Sequence, residues 1–171
     1  WFIGTTPANK GVPREITNLS VTFKGCNLDS LRALFEKYPD EIACVITEPE
    51  RSTCDAGCDC KGNAGEFLRQ AIDLPHAHGA LFIIDEMITG FKTAWPGSMA
   101  KYDVCPDMAT WGKGIANGFA FCALTGTKDV MELGGIRAAG QEKVFLISTT
   151  HGAETHAMAA ALATVDEFQQ K

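Results

Sequence analysis

Two short apolar runs set the terms for this chain. Ile42 to Thr47 and Ala80 to Ile84 have no polar face, and each stops on acid: Glu48-Pro49 after the first, Asp85-Glu86 after the second. Strands apolar on both sides have to be covered on both sides, which is the pattern of a parallel sheet lying between helices. The segments around them have helical spacing. Over residues 27–38, Asn27 is placed to cap, Asp29 suits the first turn, and Leu28, Leu31, Leu34 and Phe35 form one stripe. From Ala64 to about His78, Phe67, Leu68, Ala71 and Ile72 repeat that spacing, with Pro75 expected to kink or end the helix. Residues 107–111, 119–125 and 144–148 read as further strands, and the Ala-rich stretch from about Glu154 to Gln170 as a helix. The predicted fold is α/β, a three-layer sandwich around a mostly parallel sheet.

In such sheets ligands bind beyond the carboxyl ends of the strands. Glu48, Asp85-Glu86 and Lys113 all stand at or just after such ends, which presents their charges to one crevice. Taken alone, Asp85 reads equally well as a helix N-cap. Lys113 lies between Gly112 and Gly114, where backbone can approach a ligand and a long amine can enter a pocket. An amine and an acid so placed suit pyridoxal 5'-phosphate. That cofactor takes a lysine as a Schiff base on its aldehyde and an acid on its pyridine nitrogen. A lysine attacking near neutral pH has to drop about 3 pH units from its reference value, roughly 4 kcal/mol, and burial is the expected source. Arginine stays charged and does not serve.

The run Leu81-Phe82-Ile83-Ile84-Asp85-Glu86-Met87-Ile88-Thr89-Gly90-Phe91-Lys92, followed by Pro106-Asp107-Met108-Ala109-Thr110-Trp111-Gly112-Lys113-Gly114-Ile115-Ala116-Asn117-Gly118, closely resembles the class III aminotransferases. Within that class it is most similar to the glutamate-1-semialdehyde 2,1-aminomutases and their polysaccharide-cluster relatives. Glu48-Pro49 and Ser148-Thr149-Thr150-His151-Gly152 fit the same family. The resemblance implies a fold type I enzyme that moves an amino group through a lysine Schiff base. It implies Asp85 on the pyridinium nitrogen, Lys113 on the cofactor aldehyde and then on the migrating proton, and Met87 against a ring face. Thr149, with Thr150 as the alternative, would bind the cofactor phosphate of a partner subunit in a homodimer with shared active sites. Glu48 would lie on the substrate side. The aminomutase pattern Gly-Thr-Phe-Ser-Gly-Asn-Pro is replaced here by Ser148 to Glu154, so His151 reads either as a substrate-pocket residue or as a solvated loop histidine. The resemblance further implies that residues 1–171 are part of the cofactor-binding large domain. A Ser-Gly-Thr phosphate loop would precede Trp1, and a small C-terminal domain would follow Lys171.

Composition narrows the rivals. The net charge of -6 argues against a phosphate-backbone binder, so no nucleic-acid partner is expected. No apolar run approaches the roughly 18 residues of a membrane span, and the N-terminus lacks a secretion signal, so a cytoplasmic protein is expected, and the resemblance implies small amino donors and acceptors as its substrates. Of the seven cysteines, Cys44 and Cys122 fall in apolar runs and are expected in the core. Cys54, Cys58 and Cys60, with His76 or His78, read as a polar loop or as a zinc site of non-standard spacing. No metal is assigned. Gly112, Gly114 and Gly118 loosely match a dinucleotide-binding turn, which makes a nicotinamide oxidoreductase the rival enzyme. A catalytically inactive fragment is the non-enzyme alternative.

Overall fold

The computed structural model describes residues 8–50, 64–135, 149–152 and 154–170. The expected strand at 144–148 and the Cys54, Cys58 and Cys60 cluster lie outside them. Eleven short elements follow in chain order: helices α1 (Arg14–Thr17) and α2 (Leu28–Lys37), strand β1 (Cys44–Thr47), helix α3 (Ala64–Ala77), strand β2 (Leu81–Asp85), helix α4 (Ser98–Tyr102), strand β3 (Met108–Trp111), a 3-10 turn (Lys113–Ile115), strand β4 (Ala123–Gly126), and helices α5 (Lys128–Glu132) and α6 (Thr155–Gln170).

Local chemistry explains where the longer helices begin and end. Ser30 N–H donates to the Asn27 side chain at 2.7 Å, so Asn27 caps α2 as its position predicts. Pro75 is accommodated in the last turn of α3, and the chain leaves the helix within three residues, Ala80 N–H donating to Pro75 O at 2.9 Å. The helix thus ends at the proline rather than kinking.

The sheet order is β1-β2-β3-β4. Its first three strands are parallel, with Ile46 beside Ile83 and Asp85 beside Thr110, while β4 returns antiparallel to β3, pairing Leu124 with Thr110. The expected mostly parallel α/β sheet is present. One face carries Val45, Phe82, Ile84, Ala109 and Trp111, and these share a core with Leu31 and Phe35 of α2 and Leu68, Ala71 and Ile72 of α3. Phe82 is fully buried, and a side chain of that size contributes about 1.5–3 kcal/mol. α6 packs beside the lysine turn, where Ala161 joins the same cluster as Ile115 and Ala116.

Two expectations about burial are corrected. Cys44 and Cys122 are exposed rather than in the core. Cys44 alternates with Val45 on the outermost strand and falls, like the 49% exposed Ile46, on the sheet face that α2 and α3 do not cover. Neighbouring atoms still desolvate the Cys44 thiol enough to push its pKa up. Cys122 precedes β4, which starts at Ala123 rather than 119, because the chain is still turning out of Asn117 and Gly118, both at positive φ. No helix among the described residues is long and apolar enough to cross a membrane.

Candidate active site

The carboxyl ends of β2 and β3 lie side by side, and they bring the central pair of residues to one end of the sheet. Asp85 is the last residue of β2, and Lys113 stands two residues beyond the last residue of β3. Asp85 Oδ1 accepts the Met87 N–H at 2.9 Å and the Thr110 hydroxyl at 3.0 Å. Among the described residues nothing bonds Oδ2. A half-buried carboxylate with one oxygen fixed and the other available is suited to accept a further N–H donor. The Thr110 hydroxyl is a site residue that the sequence alone does not reveal. Its role depends on the β2–β3 register, which places Thr110 opposite Asp85.

Lys113 opens the 3-10 turn with a left-handed backbone, φ 47°. Its side chain is exposed, and among the described residues no carboxylate pairs with it. The burial expected around this amine is therefore not supplied by the described residues. The reason is its place beyond the strand end, on a single turn with glycine on either side. Met87 lies against the same turn: a Cβ built on Gly112 would sit 2.6 Å from Met87 Sδ. Asp85, Met87, Thr110 and the turn that carries Lys113 thus lie at one end of the sheet, and the groups present there, a carboxylate oxygen, an amine and a thioether, are of the kinds that pyridoxal 5'-phosphate can use.

The other expected residues stand around that group. Glu48 follows β1 and is exposed at the same end of the sheet. Two residues on, Glu50 accepts from Lys101 Nζ at 2.6 Å and from the Tyr102 hydroxyl, which ties the loop after β1 to α4. Those hydrogen bonds, Lys101 first, hold the Glu50 carboxyl below its ordinary range. Glu86, read with Asp85 as facing the crevice, turns the other way and is 1% exposed. Neighbouring side chains on a strand point to opposite faces, so the acid pair divides between two environments. Thr149, Thr150 and His151 form the turn before α6 and are exposed. His151 Nδ1 is engaged with Glu154 at 2.7 Å, and Glu154 also meets His156 Nε2 at 3.2 Å. That turn lies just before α6.

The two histidines offered as zinc ligands have other partners. His76 Nε2 is 2.7 Å from Asp107, and His78 stacks on Phe35 at 4.7 Å between ring centroids. Among the described residues no cluster suited to a metal ion is present. The dinucleotide reading also fails on geometry, since the glycines lead into one 3-10 turn and an antiparallel strand, where that motif needs a helix and a parallel strand.

Residues 6–171 match the family described as Aminotransferase class-III. The chain belongs to the class-III aminotransferase family. Solved structures similar to it include the FumI protein of Sphingopyxis sp. MTA144 at 24% identity and TM-score 0.79, covering 97% of this chain and 38% of that one. An omega-transaminase from Sphaerobacter thermophilus matches at 25% identity and TM-score 0.76, covering 95% of this chain and 35% of that one. A beta-phenylalanine aminotransferase from Variovorax paradoxus matches at 30% identity and TM-score 0.66, covering 84% and 31%. This class-III chain therefore spans about a third of the length of those relatives, and its sheet corresponds to part of the fold type I large domain. The class-III family uses pyridoxal 5'-phosphate.

Proposed function

We propose that this chain carries the cofactor-linking part of a pyridoxal-phosphate site that moves an amino group, Lys113 being the amine that joins the cofactor. The observation that carries the reading is the Asp85–Thr110 hydrogen bond. It ties the acid-bearing end of β2 to the strand that delivers Lys113, leaving Asp85 Oδ2 and the Lys113 amine both available.

The cofactor, when bound, supplies a ring that accepts the electrons of a deprotonated substrate carbon. Asp85 holds a proton on the ring nitrogen, with the Met87 N–H and Thr110 hydroxyl fixing its carboxylate at the required angle. Met87, which lies against Gly112, would pack on one ring face. Lys113 would hold the cofactor through its amine and would serve as the general base that takes the substrate α-proton and the general acid that returns it. Thr149 or Thr150 contributes to the phosphate of a partner subunit, with Glu48 and His151 on the substrate side. In this reading residues 1–171 are the middle of the large domain, the protein is a homodimer, and its place is the cytoplasm. The reaction is either transfer of the amino group to a second molecule or its return to a neighbouring carbon, the sequence over 148–154 departing from the aminomutase pattern.

Adding pyridoxal 5'-phosphate to the full chain should produce a visible absorbance band that borohydride bleaches, with the reduced adduct located on Lys113 by peptide mass. Lys113→Ala should lack both band and adduct. A band that survives in Lys113→Ala, or a label on another lysine, refutes the assignment.

A further inference from the structure

Glu86 is a carboxylate buried to 1% exposure that the steps above do not use. Its oxygens accept from neutral donors: the Ser98 N–H at 2.6 Å on Oε1, and on Oε2 the Thr89 hydroxyl and, at 3.3 Å, the Ser98 hydroxyl. Among the described residues no lysine or arginine pairs with it. Burying a carboxylate on neutral donors alone is unfavourable compared with filling the same space with an apolar side chain, so the group is held there for what its geometry fixes.

What it fixes is the segment between the two halves of the site. The Glu86 N–H donates to Thr110 O at 3.0 Å, which extends the β2–β3 ladder one residue past Asp85. Its carbonyl accepts the Gly90 N–H at 2.9 Å and closes the turn that contains Met87. The Met87 N–H in that turn is one of the two donors on Asp85. On the other side, a Cβ built on Gly97 would lie 2.7 Å from Glu86 Oε1 and 3.1 Å from Trp111 Cη2. The carboxylate is therefore enclosed near the Trp111 ring, and Trp111 leads directly into Gly112 and Lys113. One buried side chain thus pins residues 89 and 98 together, with the Asp85 turn on one side and the approach to Lys113 on the other.

We propose that Glu86 is a positioning residue. It braces the 89–98 loop so that the Met87 N–H stays aimed at Asp85 and the Asp85-to-Lys113 spacing matches the cofactor. The proposal rests on the reading of Asp85 and Lys113 as the cofactor-holding pair.

The test is Glu86→Gln in the full chain, with Thr89→Val as the second variant because it removes one donor and leaves the carboxylate. Far-ultraviolet dichroism and thermal midpoint report the fold. After addition of pyridoxal 5'-phosphate, the pH midpoint of the borohydride-reducible visible band reports the environment of the lysine link. In variants that fold, that midpoint should move by about one pH unit, and the cofactor's dissociation constant should rise about tenfold, since one unit and one decade are the same free energy. Thr89→Val should move both in the same direction by less. A purely structural role predicts a lower thermal midpoint with the band midpoint unchanged in the molecules that bind, and that result overturns the proposal. If Glu86→Gln does not fold, Thr89→Val decides in the same way. A wild-type chain with no lysine-linked cofactor removes the site reading and this proposal together, whereas a wild-type band with unmoved variants removes this proposal alone.

Discussion

Gly90→Ala should destabilise the chain and Gly114→Ala should not, and the contrast tests the packing of the turn beneath the site. A Cβ at position 90 would lie 2.8 Å from the Glu86 carbonyl oxygen and 2.8 Å from Trp111 Cε3. Ordinary carbon contacts are about 3.5–4.0 Å, so something has to move. Neither neighbour is free to do so. The Glu86 carbonyl already accepts the Gly90 N–H, and the Trp111 ring is held by its Nε1–H donating to Thr125 Oγ1 at 2.8 Å and by Phe91 at 5.5 Å between centroids. Overpacking of this kind costs about 1–3 kcal/mol. Alanine returns about 0.4–1 kcal/mol by restricting the unfolded chain. The net loss is about 0–2.6 kcal/mol, centred on about 1.3 kcal/mol, where the fall in Tm is about 3–5 °C for a chain of this size. At Gly114 nothing lies within 4 Å of the built Cβ, so stability there should stay within about 0.5 kcal/mol of wild type. Thermal unfolding followed by tryptophan fluorescence measures both. A Gly90→Ala protein as stable as Gly114→Ala would show that the turn is looser than its contacts indicate.

Gly112→Ala tests a different kind of crowding, because the atoms it meets are the flexible end of Met87. Tm should change by no more than about 2–4 °C, a loss of about 1 kcal/mol, while the dissociation constant for pyridoxal 5'-phosphate rises several-fold as the thioether is displaced; equal cofactor affinity would remove Met87 from the ring face. Glu50 provides a pH test. Its folded-state pKa is lowered by Lys101 and Tyr102, so its stabilisation is present above the unfolded carboxylate pKa and is lost as pH falls through the folded one. Glu50→Gln should therefore lower the unfolding free energy measured in urea at neutral pH, by no more than about 1 kcal/mol for so exposed a pair. The two proteins should converge in acid, and a difference that persists or grows there contradicts the pairing.

The helices are legible in the sequence because their signals are local. Asn27 sits one residue before its stripe, and Pro75 marks its own helix end. The order of strand, acid, glycine and lysine is legible for the same reason, and it suffices to bring Asp85 and Lys113 to one end of the sheet. Which face of a strand is buried is a longer-range fact. The run around Cys44 looks apolar throughout, yet within β1 only Val45 is buried, against helices whose positions depend on the whole chain closing. Thr110 escapes notice because its role is a matter of register. Glu86 shows a signal that is available but easily overridden: two adjacent acids attract one explanation, although strand alternation alone says that they face opposite ways.

The left-handed backbone of Lys113 bears on how this protein responds to engineering. Glycine adopts that conformation freely and lysine does so at a cost of about 1–2 kcal/mol. A mutant library ranked by heat resistance alone will therefore enrich glycine at position 113 and discard the amine proposed to join the cofactor. Directed evolution of this chain has to select for the lysine and for robustness together, because at that residue the two requirements pull against each other.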